Sequence, residues 1–379
     1  MNKILPGSTL GLIGGSPTAR LLALTAKRLG FSIGLFDPRS DCAAAKVSDF
    51  HQKADFGDLE ALEAFAKKCD IISYNFENAD PDDIEKIKTL TPIPQGAELL
   101  AISQDRLVEK GFLEATNVVI APYETIIQPM DLLSAAESLG YPCVLKTTRG
   151  SVSGQGITVL HSEADIPEAS QLLREGPCVL EAYVPYTKEL STVISGNGRG
   201  NYSIFPVSEN VFDKGIFQYS ITPAQVSAAV AAEIERIATS IAESLELHGA
   251  LGVEFFMTEA GLLYVNEITP RPQLTGNYSL DACNFDQYEA HLRGICGWEL
   301  PAITLTEAAV TMNIGPRELS ATYRLLQEKA LGHCYYYGNQ KIAKFNAGHL
   351  TIVTANPESA LAELQNEHIW QILEKGEQK

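Results

Sequence analysis

Positive charge is scarce in this chain: 29 lysines and arginines stand against 47 aspartates and glutamates, a net charge of −18 over 379 residues. Such a surface excludes nucleic acid or an anionic membrane as the principal partner, because a phosphate backbone needs a broad basic face. It leaves room for one basic pocket that takes a nucleotide. Cysteine pairing is also missing. The seven cysteines are odd in number, widely spaced and never in a C-x-x-C arrangement. That excludes a disulfide framework or a zinc site and points to a reducing compartment, with the thiols as small core residues. No apolar run reaches the roughly 20 residues that a membrane helix needs. The N-terminus lacks the basic-then-apolar pattern of an export signal, and the chain has no internal repeat or low-complexity tract. The expectation is a cytoplasmic globular protein, 45% hydrophobic and long enough for two or three domains.

Strands and helices alternate in the first hundred residues. Ser8–Ile13 is a short apolar strand ending in Gly14-Gly15, Ala19–Leu29 a helix stopped by Gly30, Phe31–Phe36 a second strand closed by Asp37-Pro38. Helix 59–68 and strand 70–74 follow, so βαβ connections predict a parallel sheet. One helix is predicted over 96–116, another over 131–139, then the strand Cys143–Lys146. A long amphipathic helix is predicted over 223–247. The strands 252–256 and 262–266 flank Thr258-Glu259-Ala260-Gly261, a hairpin signal. The tail has short strands near 308–314, 332–337 and 349–353 and a final helix over 357–373.

Four clusters carry chemistry. Gly14-Gly15, between a strand and a helix, has the composition to bring backbone N–H groups to a phosphate or simply to make a tight corner. With Asp37 ending the next strand it raises a nicotinamide-dependent oxidoreductase as a rival, although Pro17 and Thr18 break the dinucleotide fingerprint. Lys146 interrupts an apolar strand and runs into Thr147-Thr148-Arg149-Gly150-Ser151-Val152-Ser153-Gly154-Gln155-Gly156, a loop suited to cover a triphosphate. Burying an unpaired ammonium is costly, which favours a role for Lys146 over a plain surface loop. Glu254 in Gly-Val-Glu-Phe-Phe and Glu267 in Val-Asn-Glu-Ile-Thr-Pro-Arg-Pro lie in apolar strands that a tight turn would pair. Two close carboxylates need a cation, and oxygen ligands shared with phosphates point to Mg²⁺. Asn266 adds an oxygen and Arg271 a guanidinium for phosphate. Finally, Glu181-Ala182-Tyr183-Val184 leaves an apolar strand extended, which suits a base edge, and Glu189 suits ribose hydroxyls.

In this order the clusters resemble the ATP-grasp superfamily and, within it, the 5-(carboxyamino)imidazole ribonucleotide synthase family of purine biosynthesis. The likeness spans nearly the whole chain. It rests on Ser73-Tyr-Asn-Phe-Glu-Asn, Gln104-Asp-Arg-Leu-Val-Glu-Lys, Gly140-Tyr-Pro-Cys-Val-Leu-Lys-Thr, Glu181-Ala-Tyr-Val-Pro-Tyr, Pro206-Val-Ser-Glu-Asn, Gly252-Val-Glu-Phe-Phe, Val265-Asn-Glu-Ile-Thr-Pro-Arg-Pro and Gly348-His-Leu. The resemblance implies an α/β ATP-grasp fold with a Rossmann-like domain over 1–100, an ATP-grasp domain over 101–298 and a small C-terminal domain over 299–379, in a homodimer. It implies that ATP is held by Arg106, Lys146, the lid residues Ser151, Ser153, Gly154, Gln155, Gly156 and Ile157, then Glu181, Ala182, Tyr183, Val184, Glu189, Asn266 and Glu267. Mg²⁺ is expected on Glu254 and Glu267, with Lys146 and Arg271 as catalytic residues. The family reaction activates bicarbonate as carboxyphosphate and carboxylates the amine of aminoimidazole ribonucleotide.

The chain departs from the family on the side of the acceptor. Ser16-Pro17-Thr18-Ala19 replaces a turn with Gln-Leu-Gly, Asn75 a glutamate, Phe212 a histidine, Gln273 and Asn277 two histidines, and Phe345-Asn346 an Arg-Lys pair. Ser153 and Gln155 replace a lid aspartate and lysine. Losing two cations removes charge-assisted bonds of about 1.5–3 kcal/mol each. Three readings follow: the family ligase itself, a paralogous ATP-grasp carboxylate–amine ligase with another acceptor, or a non-catalytic nucleotide-binding relative. The oxidoreductase falls last, because it leaves Glu254, Glu267 and the 146–156 loop unexplained.

Overall fold

The computed structural model describes residues 4–76, 79–150, 156–338 and 346–366. The chain opens with β1 (Thr9–Ile13), α1 (Pro17–Arg28), β2 (Ser32–Phe36), β3 (Phe50–Gln52), α2 (Leu59–Ala66), β4 (Ile71–Tyr74) and α3 (Pro81–Lys88). The four strands form a parallel sheet in the order β3-β2-β1-β4. β1, β2 and β4 read as largely apolar, buried runs because helices cover both faces, whereas the edge strand β3 is only partly buried. Ser16 caps α1 by accepting the Ala19 N–H, and Pro17 supplies a preset φ at the first turn.

The helix expected over 96–116 is two helices, α4 (Glu98–Gln104) and α5 (Arg106–Ala115). Asp105 breaks it: its backbone is extended and its carboxylate accepts the Leu107 N–H, which makes it the N-cap of α5. Then come β5 (Tyr123–Ile126), α6 (Pro129–Leu139), β6 (Cys143–Thr147), β7 (Ile157–Leu160), α7 (Ile166–Ala169) and β8 (Cys178–Ala182). These strands make a small antiparallel sheet, β5-β8-β6-β7. One face carries Cys143, Leu145, Leu160 and Leu180 and packs against Leu132 and Ala136 of α6.

The remainder builds a nine-stranded sheet from β9 (Tyr186–Asn197), β10 (Tyr202–Ile204), β11 (Ser208–Asp213), β12 (Ile216–Thr222), α8 (Ala228–Ser244), β13 (His248–Thr258), β14 (Leu263–Thr269), α9 (Ser279–Ala282), α10 (Gln287–Ile295), β15 (Ala309–Ile314), α11 (Leu319–Glu328), β16 (His333–Tyr336), β17 (Gly348–Val353) and α12 (Pro357–Asn366). The order is β14-β13-β9-β11-β12-β15-β17-β16, with β10 on β9. Strands β15 to β17 extend this sheet rather than forming one of their own, because β12 pairs with β15 over Tyr219–Thr222. Helix α8 is shorter than the 223–247 expected, since the Ser227 side chain caps it by accepting Val230 N–H. Its Ile234, Ile237 and Ile241 press on Leu190, Ile194, Leu251, Val253 and Phe255. One face of β9, β13 and β14 is thereby sealed in the core. The other is left for chemistry. No helix among the described residues is long and apolar enough to cross a membrane.

Candidate nucleotide and metal site

The small sheet turns a half-apolar face away from α6. Lys146 lies opposite Ile157 on β7 and Val179 on β8, and Glu181 opposite Val144 and Tyr123. Side chains of directly paired residues share a face, so Ile157, Val159, Val144, Lys146, Val179 and Glu181 line one surface. Ile157 and Val159 are each 38% exposed, which leaves that surface open at its outer strand. Two buried charges sit within it. The Lys146 ammonium lies 2.8 Å from Glu181 Oε2, and Lys110 of α5 lies 3.1 Å from the other carboxylate oxygen. Burial alone would raise the Glu181 carboxyl. The two ammonium groups overturn that and hold it at about 2. Lys110 is pulled below its ordinary range by burial, against the attraction of Glu181.

The large sheet supplies the second half. Glu254 of β13 stands directly across from Glu267 of β14, as their pairing in a hairpin predicts. The register then shifts: Phe255 pairs with Val265, and Asn266 is the extra residue of a β-bulge. Burial along β14 shows the result. Leu263, Val265 and Ile268 are buried, whereas Asn266 and Glu267 are successive partly exposed residues. The bulge therefore puts both polar side chains on the accessible face that Glu254 shares. Glu189 of β9, opposite Phe256, falls on the same face and accepts the Tyr186 hydroxyl at 2.8 Å. Tyr186 also stacks on Phe256 with 4.4 Å between ring centroids.

These carboxylates crowd one another. Burial raises the Glu254 carboxyl well above the carboxylate range, and Glu267, Glu189 and Glu109 add to the rise while Arg271 opposes it. Glu189 is raised by burial and by Glu267, against its bond from Tyr186. The Arg106 guanidinium lies 3.6 Å from Glu267 Oε2. Gln273 reaches Glu254 Oε1 with its amide nitrogen at 3.3 Å. It lies so close over β13 that a Cβ at Gly252 would come within 2.0 Å of its amide carbon.

Helix α5 ties the halves together with consecutive residues. Glu109 accepts the Ile268 N–H of β14 at 2.7 Å, while Lys110 reaches Glu181 of β8. Burial and the Glu267 charge push the Glu109 carboxyl to about 8, against the pull of the Ile268 N–H, Arg106 and Lys110. Its N-cap Asp105 takes Arg149 at 2.8 Å, and Arg106 N–H bonds to Thr148 O. Sequence reasoning missed Glu109 and Lys110 as site residues. The signal was present as two adjacent charges one turn after Arg106, inside a stretch already singled out.

Other expected residues fall as follows. Ala182 and Tyr183 lead out of β8, and their N–H groups bond to Pro122 O and Pro142 O; Val184 O accepts from Tyr186 N–H. Gly156 O accepts the Thr147 N–H, which pins the end of the 146–156 loop. Arg271 donates to Pro272 O at 3.2 Å. Ser151, Ser153, Gly154 and Gln155 lie outside the described residues, as does Phe345. The phosphate reading of the glycine turn is corrected: Gly15 N–H donates to Asp37 Oδ2 at 2.8 Å and Gly14 N–H to Phe36 O. Asp37 is further occupied by Arg39, so the ribose role that the oxidoreductase reading gave it is taken by an internal ion pair. The departing residues that are described are uncharged and bond locally, in separate places. Ser16 and Thr18 bond to Asn75 Oδ1. Asn277 accepts from Tyr288 Oη and Gln287 and donates to Tyr337 Oη. Phe212 packs edge-on against Phe217.

Two antiparallel sheets, joined through 182–186 and clasped by α5, with the Lys146–Glu181 pair on one and a carboxylate pair on the other, define an ATP-grasp protein preceded by a parallel-sheet domain. Residues 111–288 match the ATP-grasp domain family, and residues 7–104 match the ribonucleotide synthetase preATP-grasp domain family. More narrowly, the chain belongs to the N5-carboxyaminoimidazole ribonucleotide synthase family. It is 36% identical over 367 residues to the synthase of Bacillus subtilis, covering 96% of each chain, and 32% identical over 355 residues to that of Staphylococcus aureus, covering 93% of this chain and 94% of that one. A crystal structure of an N5-carboxyaminoimidazole ribonucleotide synthetase complexed with ADP superposes with a TM-score of 0.94 at 36% identity, covering 98% of this chain and 99% of that chain. The ADP complex of the S. aureus enzyme gives 0.92 at 31%, covering 97% and 98%.

Proposed function

We propose that the chain is an ADP-forming ligase that uses ATP to activate bicarbonate as carboxyphosphate and transfers the carboxyl carbon to the amine of aminoimidazole ribonucleotide. The observation that carries this is the opposition of Glu254 and Glu267 at the bulge, joined by α5 to the Lys146–Glu181–Lys110 cluster.

The base lies on the Ile157, Val159 and Val144 face, with its edge read by backbone groups between Glu181 and Val184. Glu189 meets the ribose hydroxyls. Glu181 holds Lys146 and Lys110 in place, so their ammonium hydrogens not spent on the carboxylate remain available to phosphate oxygens. Arg106 and Arg271 flank the carboxylate pair and offer planar donors to the transferred phosphoryl group. The carboxylates fit Mg²⁺: their donors are hard oxygens, and their mutual repulsion is relieved by a cation. Among the described residues no group of three His, Cys, Asp or Glu side chains gathers as a metal site, so Glu254, Glu267 and Asn266 would share the ion with phosphate oxygens. When bound, it supplies charge neutralisation on those oxygens.

ADP release is the test. With bicarbonate present, aminoimidazole ribonucleotide should accelerate it; ATP binding with no acceleration contradicts the assignment. A different acceptor is favoured by one observation, the uncharged hydrogen-bonding groups at Asn75 and at Asn277, and acceleration by another amine would identify it. We also place the chain as a homodimer in the cytoplasm, which sedimentation at working concentration and cell fractionation check.

A further inference from the structure

Behind the carboxylate pair, His291 of α10, Ser73 of β4 and Gln95 form a buried chain of hydrogen bonds that no role above has used. His291 and Ser73 have no exposed surface and Gln95 has 6%. His291 Nδ1 accepts the Ala250 N–H at 2.9 Å. A backbone N–H can only donate, so Nδ1 carries no proton and the ring is the neutral Nε2–H tautomer. Burial agrees, holding this imidazole at about 3. Nε2–H therefore donates to Ser73 Oγ, 2.9 Å away, and the Ser73 hydroxyl donates to Gln95 Oε1 at 2.7 Å. Gln95 Nε2 then donates to Pro270 O at 2.9 Å, a group that can only accept. Both ends are backbone atoms of opposite kind, so every proton direction between them is determined.

The chain of bonds links three parts of the molecule: β13 four residues before Glu254, the preATP-grasp sheet at β4, and the segment carrying Arg271. The packing is made for it. At Gly249, where φ is +81°, a Cβ would lie 2.8 Å from His291 Nδ1, and at Gly294 one would lie 2.7 Å from Gly249 N. Helix α10 thus approaches β13 backbone to backbone, which puts the imidazole within reach of Ala250. A satisfied buried polar chain of this kind specifies one arrangement, since any shift leaves a buried group unpaired.

We propose that His291, Ser73 and Gln95 are positioning residues that hold Pro270–Arg271 in register with the carboxylate pair. The proposal rests on the assignment of Arg271 to the transferred phosphoryl group. It acts on the phosphoryl end alone, because the base and Lys146 sit on the small sheet. Ser73→Ala and Gln95→Met should lower kcat by about 10- to 100-fold, the effect of a misplaced group of this order, with KM for ATP within about twofold of the parent. Gln95→Glu should show a signature that loss of packing does not. Its carboxyl can donate to Pro270 O only when protonated, so kcat should rise as pH falls, unlike the parent. In an Arg271→Ala background the Gln95→Met loss should vanish, because the relay acts through that side chain. A kcat within about twofold of the parent for folded Ser73→Ala and Gln95→Met, or a Gln95→Met loss that persists in full without Arg271, overturns the relay. Unchanged kcat in Arg271→Ala alone overturns instead the assignment of Arg271 made above.

Discussion

Charge placement at single residues governs this site. Glu181 lies between two buried ammonium groups, so Glu181→Gln leaves Lys146 and Lys110 facing each other without a counter-charge. Breaking a buried ion cluster from one side costs roughly 3–5 kcal/mol, and urea denaturation should show a loss of that size together with weakened ATP binding. Glu267→Gln removes one of two opposed carboxylates at the exposed edge of the site. Turnover should be abolished at ordinary Mg²⁺, and the Mg²⁺ needed for any residual rate should rise by at least about tenfold; an unchanged Mg²⁺ dependence removes Glu267 as a ligand. Lys146, Glu254 and Glu267 stand out in the sequence for one reason. Each is a charge within an apolar strand, a placement that needs a partner. Glu109 and Lys110 carried no such mark, because charges on an amphipathic helix read as solvated until the fold shows which face is buried.

The decisive element is α5, a helix of ten residues that touches both sheets. Its start depends on Asp105, which caps it through Leu107 N–H and binds Arg149 at the base of the 151–155 segment. Asp105→Ala should cost about 1 kcal/mol as a lost N-cap and reduce ATP affinity, read by calorimetry; equal affinity would separate the cap from nucleotide binding. Asp105 also marks where sequence reading failed, since a helix predicted over 96–116 treats it as an ordinary interior position. The parallel sheet, the 252–266 hairpin and most helices were legible from periodicity and from glycine and proline punctuation. The 12-residue strand β9 was not foreseen as one element, because its long buried run lacks alternation. Nor was the bulge at Asn266: a one-residue register shift leaves no compositional trace.

At the scale of the whole molecule, His291 and His349 are the buried histidines among the described residues. His291 and His349 are each held at about 3 by burial, against an ordinary value near 6.5. Below 6.5 the unfolded chain therefore binds protons that the folded chain refuses. The stability these groups contribute is complete above about 6.5 and lost as pH falls from there towards 3. Denaturation midpoints for the parent and for His349→Gln should converge over that window; a constant difference would mean that His349 titrates normally in the fold. The claim that most needs testing is the fate of the carbon. Labelled bicarbonate should enter an acid-labile product only when ATP, Mg²⁺ and aminoimidazole ribonucleotide are all present, one label per ADP formed. ADP formed in full with no label in the ribonucleotide would contradict the account.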